Sequence, residues 1–408
     1  MIHPDEAVAM MAGFMRNPHP ETTPLSAALG RILAVSVRGS MDQPPFDKAA
    51  MDGWAWQPLA GEAMPGKPLR IRGVIAAGSD AISGERPGEA VGIGETARIM
   101  TGAPLPAGSS RVQRVEWSVT VGADGRPDPD GGFVTFSKPE SFDNAIRRGE
   151  NSRSGDELLS PRKLSAQDIA ILAADGRPDV KVARRPVVGV LSTGAELADP
   201  GQTISGAMIY DSNRPQIMAQ LASPAFDVRD LGRLPDDFEA TLSAVRAALS
   251  ACDVLVLSGG VSMGDFDYVP RALAAAGVAE RFHGVAMKPG KPTFFGTAGR
   301  AFVFGLPGNP VSVFVNTELL VKELLFALSG VRYRPLVVPV AVAEDIVRTT
   351  TERVEFLPVR IESDGVRTVR YGGSSGIQAL AAADGFVRLE MGQASLAKGA
   401  TTHVRLVR

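Results

Sequence analysis

Cysteine is nearly absent. One residue, Cys252, in 408 excludes any disulfide within the chain, which fits a reducing compartment. Histidine is also scarce. His3, His19, His283 and His403 lie far apart, and no Cys/His pair has zinc spacing, so a structural zinc site is not expected. No apolar run reaches membrane-spanning length. The opening MIHPDEAVAM has no basic stretch leading into an apolar one, so no leader is expected and the chain is placed in the cytoplasm. Charge of one sign is lacking too. A formal net charge of −2 gives no electrostatic case for nucleic acid or a membrane surface. No repeat of solenoid period is present.

Glycine and proline, 44 and 30 residues, are what the chain has in quantity. Apolar runs continue between them, so they mark turns rather than disorder. The length exceeds one ordinary core, and three or four units are expected.

The stretch from Cys252 to Pro292 organises the rest. Residues Asp253 to Leu257 are a short apolar run ending in Ser258-Gly259-Gly260, which reads as a buried parallel strand feeding a loop. Asp265 and Asp267 follow, then an Ala-rich helical pattern from Pro270 to Ala276, then Lys288-Pro289-Gly290-Lys291. Glycines at a strand end let a ligand approach backbone N–H groups, and open α/β sheets bind ligands at the carboxyl ends of their strands. Carboxylates and lysines beside such a turn suit a phosphorylated ligand with a divalent cation.

Upstream, residues 4 to 15 read as an amphipathic helix, and residues 24 to 38 as a second short helix followed by a strand-like ILAVSV. MDQPPFDKAAMDGWAW carries three acids, Asp42, Asp47 and Asp52; its structural reading is a surface loop. Residues 66 to 137 look all-β, with Thr101 at a strand end before a tight turn. Residues 144 to 160 are polar and irregular, and 165 to 174 helical. From Pro186 strands and helices alternate, which means a doubly wound α/β arrangement. Its first strand ends in Ser192-Thr193-Gly194 with Glu196 after it, and Asp211-Ser-Asn213 leads into a helix. Asp236 and Asp237 open another, and Pro307-Gly308-Asn309-Pro310 a long apolar one. Residues 331 to 408 return to alternating β patterns.

Seven stretches together resemble one family, the molybdopterin molybdenumtransferases or molybdenum insertases, bacterial relatives of one half of gephyrin. They are Pro45-Phe-Asp-Lys-Ala-Ala-Met-Asp-Gly-Trp-Ala55, Arg98-Ile-Met-Thr-Gly-Ala-Pro-Leu-Pro106, Leu191-Ser-Thr-Gly-Ala-Glu-Leu197, Ile209-Tyr-Asp-Ser-Asn-Arg214, Leu257-Ser-Gly-Gly-Val-Ser-Met-Gly264, Lys288-Pro-Gly-Lys-Pro292 and Leu306-Pro-Gly-Asn-Pro310. Any one alone is weak; seven in order across nearly the whole chain are specific. The resemblance implies a multidomain α/β plus β architecture. Its parts are an N-terminal dimerisation unit (1–40 and 140–183), a β-rich insertion (41–139), a central doubly wound molybdopterin-binding α/β domain (184–330) and a small C-terminal β-barrel (331–408).

It also implies a reaction. Molybdenum from molybdate is inserted into adenylylated molybdopterin, AMP is released, and Mg²⁺ assists. Asp52, Thr101, Glu196, Asp236, Asp267, Lys288 and Lys291 match the catalytic positions, with Glu196, Asp236 and Asp267 toward the metal. Ser192, Thr193, Gly194, Asp211, Asn213, Ser258, Gly259, Gly260, Ser262, Pro289, Gly290, Pro307, Gly308 and Asn309 match the substrate-holding turns. A homodimer with shared clefts, a molybdopterin adenylyltransferase and molybdoenzyme chaperones are the implied partners.

Structural alternatives stand beside these roles. Asp236 is equally a helix cap, Asp211 can fix its own turn, and Asn309 with Pro310 suits a helix start. Asp265 and Asp267 suit helix N-terminal charges. Trp54 and Trp56 suit a pterin face or a dimer contact, and His283 an interior position. The chain departs from the family pattern at Lys48-Ala49, Asn151, Ala195 and Gly284, so one expected carboxylate and one expected lysine are missing. A diverged paralogue or molybdopterin-binding carrier with weak or no insertase activity is therefore the alternative. An adenylyltransferase or nucleotide hydrolase sharing the central fold, or a non-enzymatic scaffold, are the rival classes.

Overall fold

The structure, a computed structural model, describes residues 1–79, 89–235, 237–261 and 268–407. Asp236, Ser262, Asp265 and Asp267 lie outside the described residues. The chain divides into two compact units. One comprises Met1–Val35, Pro161–Ile169 and Pro178–Arg408; the other comprises Ser36–Ser160 and Ala170–Arg177.

The larger unit is built on a six-stranded sheet. Its spatial order is Asp227–Leu234, Val187–Thr193, Val254–Ser258, Ala301–Leu306, Phe294–Ala298 and Ala279–His283. The first four are parallel, and the last two run antiparallel to their neighbours. Every residue of Val254–Ser258 is buried, as a parallel strand covered on both faces must be. The chain leaves Val187–Thr193 for the strand on one side, then crosses to Val254–Ser258 on the other. That reversal is a topological switch point, and it opens a crevice at the carboxyl ends of these two strands.

Helices cover the sheet where apolar residues recur at helical spacing. Phe238–Ala251 buries Leu242, Val245 and Ala248 and starts at Asp237, whose carboxylate accepts the Ala240 N–H. The long apolar helix is continuous from Pro310 to Leu328, with a π-type turn at Thr317–Val321. Phe14, Phe282, Phe295, Phe302 and Phe304 stack beneath the N-terminal helix Pro4–Gly13 in a contiguous core.

The C-terminal strands form a ring. Val354–Glu362 pairs with Gly385–Leu389, which pairs with Thr401–Leu406, which pairs with Val337–Ala341. Gly365–Thr368 pairs back onto Val354–Glu362, and a bridge from Val342 to Val366 closes the circle. The inward residues Val342, Val359, Val366, Val387, Leu389 and Val404 fill it. The short strand Met287–Lys288, from the α/β part of the chain, adds itself to Val354–Glu355 at the edge of this ring.

The second unit centres on another six-stranded sheet, ordered Arg111–Arg114, Gly53–Trp56, Glu95–Ile99, Leu69–Ile75, Phe133–Phe136 and Ser118–Val121. Gly53–Trp56 is buried along its whole length. Trp54 and Trp56 are therefore core residues, 6% and 1% exposed, and the expectation that they line a pterin face or a dimer contact is overturned. The Trp54 indole N–H donates to the Ser118 hydroxyl at 2.9 Å.

The helix expected within 24–38 does not form. Pro20–Pro24 pairs as a strand with Asp179–Ala183, and only a single 3₁₀ turn, Leu25–Ala27, follows. The N–H groups of Leu25 and Gly30 go to the carbonyls of Pro178 and Leu164, so long-range pairing takes donors that a helix needs.

Candidate functional site

The carboxyl edge of the α/β sheet gathers five of the expected stretches. Thr193-Gly194 ends one parallel strand, Ser258-Gly259-Gly260 the next, and Leu306-Pro307-Gly308-Asn309 the third. The Lys288–Lys291 turn enters at the same edge, because Phe294 pairs with Gly305 at the start of its antiparallel strand.

A chain of buried side chains holds this edge. The Ser192 hydroxyl donates to Asp211 Oδ2 at 2.6 Å. Asp211 Oδ1 accepts the N–H groups of Asn213 and Arg214, and Oδ2 accepts Arg214 Nε. Asp211 thus fixes its own turn, as the structural reading had it. Asn213 Nδ2 then donates to the Ser258 hydroxyl at 2.8 Å and the Gly308 carbonyl at 2.7 Å, tying three loops together. The Arg214 guanidinium also grips Asp230 and Asp199. Burial works against the Asp230 carboxylate, but Arg214 outweighs it and holds its pKa below the usual range.

Two polar atoms in this network are buried without a partner among the described residues: Thr193 Oγ1 and Asn213 Oδ1. A buried unpaired hydroxyl or amide oxygen costs free energy, so such atoms point to a ligand. Space for one is kept by glycine. Gly260 has φ +63°, and a Cβ there would lie 2.8 Å from Thr193 Oγ1 and 2.9 Å from Val269 Cγ2. Beside the cradle Glu196 is exposed, and its carboxylate accepts no hydrogen bond from a described residue.

The lysines divide. Lys291 is exposed, with its ammonium unpaired among the described residues. Lys288 Nζ sits 2.8 Å from Glu355 Oε1, so its charge is already matched inside the protein. Pro289 and Gly290 are buried, the latter against Asn316, whose Oδ1 accepts the Thr293 hydroxyl at 2.8 Å. Asn309 occupies the N-cap position, yet its side chain makes no cap bond. It donates to the Ser374 hydroxyl at 2.9 Å instead. His283 is half-buried, its Nε2 donating to the Val261 carbonyl at 3.0 Å.

In the second unit Asp52 and Thr101 meet directly. Asp52 Oδ1 accepts both the N–H and the hydroxyl of Thr101, each at 2.7 Å. The backbone bond first, then the hydroxyl, hold the Asp52 carboxyl below its usual range. The other two acids of that loop are spent on structure: Asp47 on Arg147 and Arg148, Asp42 on Arg148 and the Ser154 N–H.

Glu355, Arg348, Asn316 and Thr293 were not singled out from sequence. Glu355 falls in an ordinary alternating strand pattern, which carries no sign of its partner. Among the described residues no group of three or more His, Cys, Asp or Glu side chains is placed to hold a metal. No described helix is long and apolar enough to cross a membrane.

A doubly wound sheet with a glycine-lined cradle at its switch point, holding two buried oxygens without a partner among the described residues, defines an α/β protein with a candidate ligand site at that edge. Comparison with known proteins narrows this. Residues 2–176 match the family model described as MoeA N-terminal region (domain I and II). Residues 189–327 match a probable molybdopterin binding domain, and 340–407 the MoeA C-terminal region (domain IV). A molybdopterin molybdenumtransferase of Bacillus subtilis is 30% identical over 411 residues, covering 99% of this chain and 94% of that protein. One of Haemophilus influenzae is 36% identical over 308 residues, covering 75% and 72%. Among solved structures, a molybdopterin biosynthesis moeA protein from Pyrococcus horikoshii OT3 superposes with a TM-score of 0.81 at 25% identity, covering 100% of both chains. The chain belongs to the molybdopterin molybdenumtransferase family, a family of transferases. The fold class expected from sequence is borne out.

Proposed function

We propose that this chain acts in molybdenum cofactor biosynthesis, inserting molybdenum from molybdate into adenylylated molybdopterin and releasing AMP. The observation that carries this reading is the cradle at the switch point. Thr193 Oγ1 and Asn213 Oδ1 are buried there without a partner among the described residues, and glycine keeps the room clear. Backbone N–H groups at such turns hold phosphate without net charge, and Lys291 adds an exposed cation that is unpaired among the described residues. Positioning and electrostatics would carry most of the rate.

Of the three carboxylates expected toward the metal, Glu196 is the one among the described residues. Glu196 offers a hard, exposed carboxylate with no competing donor among the described residues, the ligand type that this ion takes. Bound there, Mg²⁺ would neutralise phosphate charge and polarise the phosphorus–oxygen link. The same reading makes the working form a cytoplasmic homodimer. A molybdopterin adenylyltransferase would supply its substrate, and molybdoenzyme chaperones would take its product.

A single-turnover experiment tests the reading. Protein loaded with adenylylated molybdopterin is given Mg²⁺ and molybdate, and AMP is followed. Molybdate-dependent release is expected, slowed about 10²–10³-fold in Asp52→Ala and in Lys288→Ala, the range for removing one group that stabilises developing charge. Tight binding without release would favour the carrier alternative. Absence of binding would overturn the assignment.

A further inference from the structure

The Lys288 ammonium does not stand free at the sheet edge. It lies 2.8 Å from Oε1 of Glu355, and the two residues are direct partners in the parallel pairing of Met287–Lys288 with Val354–Glu355. The Glu355 side chain is 4% exposed, whereas Lys288 is 41% exposed. A buried carboxylate thus holds the inner side of an ammonium whose outer side faces solvent. An ammonium has three donors, so the pair leaves donors for an incoming anion.

Among the described residues Glu355 has one other cation in ion-pair range. Arg348 Nη1 approaches Oε2 at 3.5 Å, but its guanidinium is already committed to backbone. Its nitrogens donate to the carbonyls of Gln393, Arg353 and Glu390. Arg353 in turn donates to the Met287 carbonyl at 3.3 Å, next to Lys288 in the chain. Tyr371 also feels the group: burial first, then the Glu355 charge, push its phenol up to about 12. Arg348 and Arg353, the cations next to the pair among the described residues, are thus held by the backbone of the ring and of the Met287–Lys288 strand.

We propose that Glu355 is a positioning residue, through which the C-terminal ring fixes the Lys288 ammonium at the carboxyl edge of the α/β sheet for an anionic substrate. This rests on the functional reading above and deepens it. The ring sets where one substrate-facing charge stands, and Glu355 acts only through Lys288. A flexible lysine without this anchor would still attract anions but would not hold them in one geometry.

The test combines a mutant cycle with a direct view of the ammonium. In the full-length protein, Glu355→Gln keeps shape and removes charge, and Glu355→Asp keeps charge but draws it back from Lys288. Single-turnover AMP release is expected to fall about tenfold in Glu355→Gln, with partial recovery in Glu355→Asp. In a Lys288→Ala background Glu355→Gln is expected to change the rate less than about twofold, since coupled residues are non-additive. An equal loss in both backgrounds would mean a merely structural role and overturn the proposal. Independently, ¹⁵N relaxation of the Lys288 ammonium is expected to show an ordered group in the wild type and a mobile one in Glu355→Gln. Equal mobility in both would overturn it as well. If the wild-type chain releases no AMP, the functional reading fails, and the ammonium order alone still decides whether Glu355 positions Lys288.

Discussion

Single side chains divide here into those fully used by the fold and those left with capacity. Asp52 has its Oδ1 filled by two donors of Thr101. Because those bonds favour the ionised form, the folded carboxyl titrates below the unfolded value of about 3.9. A depressed folded pKa contributes stability above the unfolded value, and that contribution is lost as pH falls through the folded one. Thr101→Val keeps the N–H and loses the hydroxyl. The Asp52 pKa, read by carboxyl NMR titration, is therefore expected to rise toward the ordinary range; an unchanged value would show that the hydroxyl bond is not formed in solution. Asp211 is the opposite case. It is 1% exposed and carries the Ser192 hydroxyl, two backbone N–H groups and Arg214. Asp211→Ala leaves a largely buried guanidinium short of one counter-charge. Arg214 keeps Asp230 and Asp199, so the expected loss in denaturant unfolding is about 1–3 kcal/mol, that of buried donors left unsatisfied.

Elements at the sheet edge are shaped by backbone that only glycine accepts easily. Gly260→Ala would place a methyl against Thr193 Oγ1 and Val269 at φ +63°, with an expected loss of about 1–3 kcal/mol. Gly284 is more informative, because the sequence resemblance leads one to expect lysine there. Its φ is +98°, its carbonyl accepts the Ile2 N–H, and a Cβ would lie 3.0 Å from Met1 Cγ. Gly284→Lys is thus expected to lower the melting temperature rather than restore a missing charge cleanly; an unchanged melting temperature would show that this turn is free to relax. The local elements were legible where residue type alone fixes the conformation. The Ser-Gly-Gly turn, the buried Val254–Ser258 run and the Asp-Ser-Asn turn all stand where the sequence put them. Elements settled by distant partners were not. Gly-Trp-Ala-Trp reads as part of a surface loop until strands on both sides enclose it as a buried strand, and the run after Pro24 reads as a helix until Asp179–Ala183 takes its neighbour as a strand. The pairing that joins Lys288 to Glu355 likewise leaves no local trace, since neither segment has a pattern that names the other.

For the molecule as a whole, the division into two compact units has a thermodynamic consequence. Each unit has its own buried sheet and its own aromatic centre: Trp56 in one, Phe304 in the other, 1% and 0% exposed. Trp56 packs in a cluster with Trp54, Leu69 and Val134, and Phe304 in one with Phe295, Phe302 and Leu306. Units with separate cores need not unfold as a single two-state system. Calorimetry is therefore expected to resolve two transitions. Trp56→Ala and Phe304→Ala each remove a fully buried ring, at a cost of about 3–5 kcal/mol. Trp56→Ala is expected to lower only the transition of the Ser36–Ser160 unit, and Phe304→Ala only that of the other. Adenylylated molybdopterin stabilises whichever unit binds it, by mass action. On the reading that the switch-point cradle holds the substrate, it should raise the transition that Phe304→Ala lowers. One shared transition, moved by both substitutions, would show instead that the two cores melt as one, and a ligand shift confined to the Trp56 transition would relocate the substrate site to the Asp52–Thr101 unit.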